Sequence, residues 1–170
     1  MAGFKFVKNG KANGERSLKK YIVDNLKTVQ IGDAVHLASG YIDPAAAAER
    51  VLGIVVAIVA SAESDLAPTS NGAGGDFIDT YTTAADNTTV AQVSVLVDTD
   101  PDAIYSAECD ATPGTTTNSN LAGFYFDLID ENTIDESDVD ASVQQFFSHG
   151  LDPNDSSRLL VQIAESQLSD

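Results

Sequence analysis

Residues 88–109 read TTVAQVSVLVDTDPDAIYSAEC, and the fold class follows from them. Thr88 to Asp98 is rich in valine, with Val90, Val93, Val95 and Val97 as candidate core positions of one strand. Asp98-Thr-Asp-Pro-Asp102 is a tight turn, and Ala103 to Cys109 returns as a second strand, which predicts a hairpin. Upstream, Tyr21–Val23, Thr28–Ile31 and Ala34–Ala38 are short β-type runs, the last stopped by Ser39-Gly40. Asp43 is a usable N-cap and Pro44 suits a first helical position, so Ala45 to Arg50 is expected to form a helical turn. Val51 to Ala60 (VLGIVVAIVA) is apolar on both faces and predicts a fully buried strand, with Gly53 marking a bulge or a close backbone approach.

Downstream the same rhythm continues. Residues 61–75 are a Ser, Asn and Gly-rich loop, Phe77 to Thr83 alternates as a half-buried strand, and residues 110–120 are again a loop. Leu121 to Ile129 predicts an aromatic-rich strand, Asp130 to Asp140 an acidic turn, and Leu159 to Ala164 a closing strand. Val143 to Phe147 suits a short helix or a strand. Many short strands without a sustained 3.6-residue period predict an all-β domain, a single small barrel or sandwich with at most one or two short helices.

Charge divides the chain differently. The net charge is −17, yet seven of the nine bases lie in residues 1–27, where the only acids are Glu15 and Asp24. That leaves a local +5 on residues 1–27 and −22 on residues 28–170. Residues 1–20 (MAGFKFVKNGKANGERSLKK) are polar and punctuated by Asn9-Gly10 and Asn13-Gly14, so they are expected to be an extended basic arm. Residues 21–170 are expected to be the acidic all-β domain. An acidic body repels phosphates, which argues against a nucleic acid partner. Dense surface carboxylate suits solubility in high salt; a salt-adapted source and an ordinary acidic protein both fit it.

Chemistry has little to work with. The single cysteine, Cys109, excludes an internal disulfide framework and a cysteine-rich zinc site. No apolar stretch follows the N-terminal lysines and the longest apolar run is Val51 to Ala60, so neither a secretory signal nor a membrane span is expected. His36 and His149 share no motif, Gly-x-Ser-x-Gly is absent, and Gly72-Ala-Gly-Gly75 has no lysine to complete a phosphate loop. Asp98, Asp100 and Asp102 alternate like calcium ligands, but Ala103 and Cys109 stand where an EF-hand loop needs glycine and glutamate. The cluster Asp130, Glu131, Asp135, Glu136, Asp138 and Asp140 reads as a solvated acidic loop. No catalytic, cofactor or metal site is expected, and the chain is not read as an enzyme.

The order of segments carries one further signal. Gly32-Asp33-Ala34-Val35 with Ser39-Gly40, then Val51-Leu52-Gly53-Ile54-Val55, come first. Val93 to Asp98 running into Asp100-Pro101 and Ile104-Tyr105-Ser106-Ala107-Glu108 follows. Leu121 to Leu128 and Arg158 to Ile163 take the places of last strands. This order resembles the small decoration, or cement, proteins of tailed-virus heads. The resemblance implies an all-β domain, commonly trimeric, on the outer surface of an icosahedral capsid. It also implies an N-terminal arm that contacts the major capsid protein, and no enzymatic activity. The arm residues expected to bind the capsid are Phe4, Lys5, Phe6, Val7 and Lys8, whose alternation suits strand addition to a neighbour's sheet edge. A carbohydrate- or receptor-binding β-module, virion-borne or secreted, is the alternative; the basic arm and the lack of Trp favour the capsid reading.

Overall fold

A computed structural model describes residues 3–10, 16–59, 79–90, 92–113, 121–137 and 143–164. The expected loop at 61–75, the start of the expected 77–83 strand, most of the 110–120 loop, and Asp138 and Asp140 lie outside these residues. The protein is all-β, with no helix among the described residues. The strands are β1 (Lys5–Asn9), β2 (Leu18–Ile22), β3 (Thr28–Gln30), β4 (Ala34–Ala38), β5 (Tyr41–Pro44), β6 (Gly53–Val59) and β7 (Thr80–Thr82). They continue with β8 (Ser94–Asp98), β9 (Ala103–Cys109), β10 (Tyr125–Phe126), β11 (Leu128–Asp130), β12 (Thr133–Ile134), β13 (Phe146–Asp152) and β14 (Asp155–Ile163).

Two main sheets form. One runs β10-β13-β14-β9-β12-β11 with β1 also on β9; the other runs β2-β8-β6-β4-β5; β3 and β7 pair separately. The two ends of the first sheet, β10 and β11, are separated in sequence by Asp127 alone, so this sheet curls into a nearly closed barrel. Asp127 ties the seam: its carboxylate accepts the Gln145 amide at 3.1 Å, and its carbonyl accepts the Asp135 amide at 3.0 Å. Buried Gln145 reaches further, its side chain accepting from Leu128 N at 2.6 Å and donating to the carbonyls of Ala46 and Glu49.

The barrel core gathers Phe4, Tyr105, Phe126, Phe146, Leu159 and Ile163. A second core joins Val23, Val29, Val35, Ile42, Val95 and Val97. Alternation along β4 and β6 connects them: Ala34 and Ile54 face the barrel core, Val35 and Val55 face the second one. The middle of the five-stranded sheet is therefore covered on both faces, which is why VLGIVV has no polar face. Gly53 is a close approach, since a Cβ there would collide with the Asp98 carbonyl and lie 2.6 Å from a Val97 methyl carbon. The bulge of β6 falls elsewhere, between Val55 and Ala57. Gly53→Ala is expected to cost about 2 kcal/mol or more, read as a lowered midpoint in urea unfolding; an unchanged midpoint would contradict this packing.

Four expectations need correction. The 88–109 stretch is not a hairpin: β8 pairs with β2 and β6, whereas β9 belongs to the barrel, so Asp98–Asp102 is a corner between sheets. The valine strand starts at Ser94, because Thr88 to Val90 turn back with Val90 N donating to Asp86 O at 2.8 Å, leaving Val90 67% exposed. Buried Asn87 organises that turn: its Nδ2 donates to Val23 O at 2.6 Å and its Oδ1 accepts Val93 N at 2.9 Å. The helical turn at 45–50 is instead strand β5 followed by a bend, with Ser39 and Gly40 both at positive φ (52° and 90°) as a two-residue hairpin turn requires. Leu121 to Ile129 divides into β10 and β11 around Asp127.

The fourth correction concerns the arm. Residue 20 is not a boundary, because Lys20 lies inside β2, which pairs with β8. Residues 5–9 pair antiparallel with β9, and Phe4 is buried in the barrel core, 4% exposed. The cause is an available edge: β14 fills one side of β9 along 104–108, while on the other side β12 covers only Glu108 and Cys109. β1 takes the remaining length, opposite Ala103 to Ser106.

Candidate functional site

The five expected capsid-binding residues divide into an anchor and a face. Phe4 stacks on Phe146 at 4.8 Å and meets Tyr105 edge-on at 6.4 Å, so it is a core residue. Its amide donates to Gly32 O at 2.9 Å. Gly3 O accepts from the Nη2 of buried Arg158, which also donates to Ser106 O at 2.7 Å, while its Nε donates to Ser106 Oγ at 2.9 Å. Arg158 is one of only two bases after Lys27, and its use as a clamp on the N-terminal segment had no motif to announce it. Lys5, Phe6, Val7 and Lys8 are exposed.

The exposed part of β1 adjoins β2. Arg16, just before β2, lays its guanidinium over the Phe6 ring at 4.0 Å and pairs through Nε with fully buried Asp98 at 2.7 Å. Asn9 Nδ2 donates to Asp100 Oδ2 at 2.6 Å, and Gly10 N donates to Asp102 O at 2.7 Å, fastening the end of β1 to the corner. Leu18, Lys19 and Lys20 of β2 are exposed as well. β2 is an edge strand, and the outer side of β1 has no strand partner among the described residues. The result is a basic, partly apolar edge carrying Lys5, Lys8, Lys19 and Lys20 on a body whose remaining residues are strongly acidic.

The other candidates occupy structural positions. Asp98, Asp100 and Asp102 face their own backbone, with Asp100 N donating to Asp98 Oδ1 at 3.2 Å and Asp102 N to Asp100 Oδ1 at 2.9 Å. Among the described residues no group of three His, Cys, Asp or Glu side chains is arranged to hold a metal ion. Burial, with Glu136 nearby, pushes the half-buried Cys109 thiol up to about 12, far from nucleophilic at neutral pH. Glu136 is itself raised by burial and by its hydrogen bond with Asp110. His36 Nδ1 lies 3.0 Å from the Glu49 carboxylate, and His149 lies exposed in β13, not in a loop, 3.0 Å from Gln162 Oε1.

No family model matches this chain, and no curated protein or solved structure matches it.

Proposed function

We propose that the protein is a structural virion component that decorates and stabilises the outer surface of an icosahedral capsid by bridging major capsid protein subunits. It works as a small homo-oligomer, a trimer, without enzymatic activity. The observation that carries this reading is the basic β1–β2 edge on an acidic body. Four exposed lysines flank strand edges that can accept a neighbour's backbone, while the remaining acidic surface keeps densely arrayed copies from clumping. Because Phe4 and Arg158 fix β1 to the body, the docking surface is preorganised, so binding spends little on ordering it.

Capsids lacking the protein provide the test. At 0.15 M chloride the wild type is expected to co-sediment with them. The quadruple variant Lys5→Glu, Lys8→Glu, Lys19→Glu, Lys20→Glu is expected to bind at least about tenfold more weakly, since like charges then face each other within a Debye length of about 8 Å. Equal co-sedimentation of both would overturn this docking surface.

A further inference from the structure

We infer that the crevice between β1 and β6 is a binding site for a small amphipathic carboxylate, a property independent of capsid docking. The crevice encloses about 260 Å³, and its walls are Phe4, Phe6, Ile31, Ile54, Val55 and Tyr105, with Lys5 and Arg16 also lining it. It exists because the sheets part there. β6 pairs with β4 only at Gly53 and Ile54, and beyond Val55 that edge has no strand partner among the described residues. β1 follows β9 into the barrel sheet and leaves its own outer side open.

Two donors in this crevice are unanswered. Arg16 spends its Nε on Asp98, but its Nη2 is buried without a hydrogen-bond partner. Tyr105 is fully buried, and its hydroxyl likewise has none. Asp98 stands near enough to hold the phenol protonated, together with burial, yet no hydrogen bond joins the two. A buried donor left unpaired costs about 1–3 kcal/mol, and two of them against an apolar wall call for an acceptor that brings its own hydrocarbon. A carboxylate offers acceptor sites to both donors. Its charge is favoured because Asp98 offsets only Arg16, whereas Lys5 remains beside the crevice. The volume lies just under the roughly 300–1,000 Å³ typical of ligand pockets, so the ligand is smaller than drug-sized. Octanoate has this chemistry and size.

The full chain, isotopically labelled, is titrated with sodium octanoate, with 1-octanol and octylammonium as tail-matched controls, and followed by NMR. Octanoate is expected to give saturable shifts confined to residues 4–6, 16, 31, 54–56 and 105. Octanol should bind at least about tenfold more weakly, and octylammonium should give no saturable shifts at these positions. Tyr105→Phe keeps the ring and should weaken octanoate severalfold. Arg16→Gln should weaken it about tenfold; Val56→Phe, which fills the crevice and leaves the Arg16–Asp98 pair intact, should abolish binding if the Arg16 variant does not fold. Equal affinity for octanol, shifts scattered over the surface, or octanoate binding indifferent to Tyr105→Phe and Val56→Phe would overturn the site.

Discussion

Phe4→Ala is expected to lower the unfolding midpoint by roughly 10 °C, while Phe6→Ala, two residues away, should lower it by only a degree or two. Truncating a fully packed Phe costs about 3–5 kcal/mol, and in a domain of this size each kcal/mol moves the midpoint by about 2–4 °C. Phe4 loses its stacking on Phe146 and its contact with Tyr105, and the cavity opens in the barrel core. Phe6 is 37% exposed and contributes chiefly its edge contact with Tyr105 and the guanidinium resting on it. Thermal unfolding followed by circular dichroism separates the two. Removal of residues 2–9 altogether should be worse than Phe4→Ala, since it leaves one side of β9 bare and deprives Arg158 of the Gly3 carbonyl. Small, equal effects of Phe4→Ala and Phe6→Ala would mean that the N-terminal segment is detachable after all.

The second large effect is one of pH. Asp33 is 2% exposed at the turn where the N-terminal segment crosses Gly32. Its Oδ2 accepts Gln30 N at 2.7 Å, but its Oδ1 is buried without a partner. Burial, and then the charges of Glu131 and Asp130, push the carboxyl up to about 7; hydrogen bonds from Gln30 and Asn132 oppose this and do not prevail. The folded protein therefore holds a proton that the unfolded chain releases near pH 4. The resulting stability is complete below that pH and is lost as pH rises through about 7, by an amount on the order of a few kcal/mol. The wild-type midpoint should fall between pH 5.5 and about 8, more steeply than that of Asp33→Asn, which keeps the acceptor for Gln30 and cannot ionise. The variant should be the more stable of the two at pH 8. Parallel pH profiles for the two proteins would contradict this.

The strands built on valine alternation were legible in the sequence, and so was the demand for glycine at position 53. What was hidden is where polar side chains override pattern. Asn87 and Asp127 look like loop and strand residues respectively, yet each turns the chain by giving its side chain to distant backbone groups. The corner at Asp98–Asp102 has the composition of a hairpin turn; whether β9 returns to β8 or crosses to the barrel depends on which edge β1, β12 and β14 leave open, a non-local matter. The arm was misjudged for a similar reason. Its glycines and lysines describe a mobile tail, but one phenylalanine with a core vacancy and one buried arginine suffice to hold it. The exposed basic face of the site followed directly from counting charges, while the orphaned hydroxyl of Tyr105 and the buried Asp33 are visible only after folding.

The central claim is that the β1–β2 edge faces a capsid. Electron cryo-microscopy of capsids with and without the protein tests it most directly. The account predicts added density on the outer surface, placed so that Lys5, Lys8, Lys19 and Lys20 lie against the major capsid protein and the acidic face points to solvent. No added density, or density with the basic edge turned outward, would contradict it.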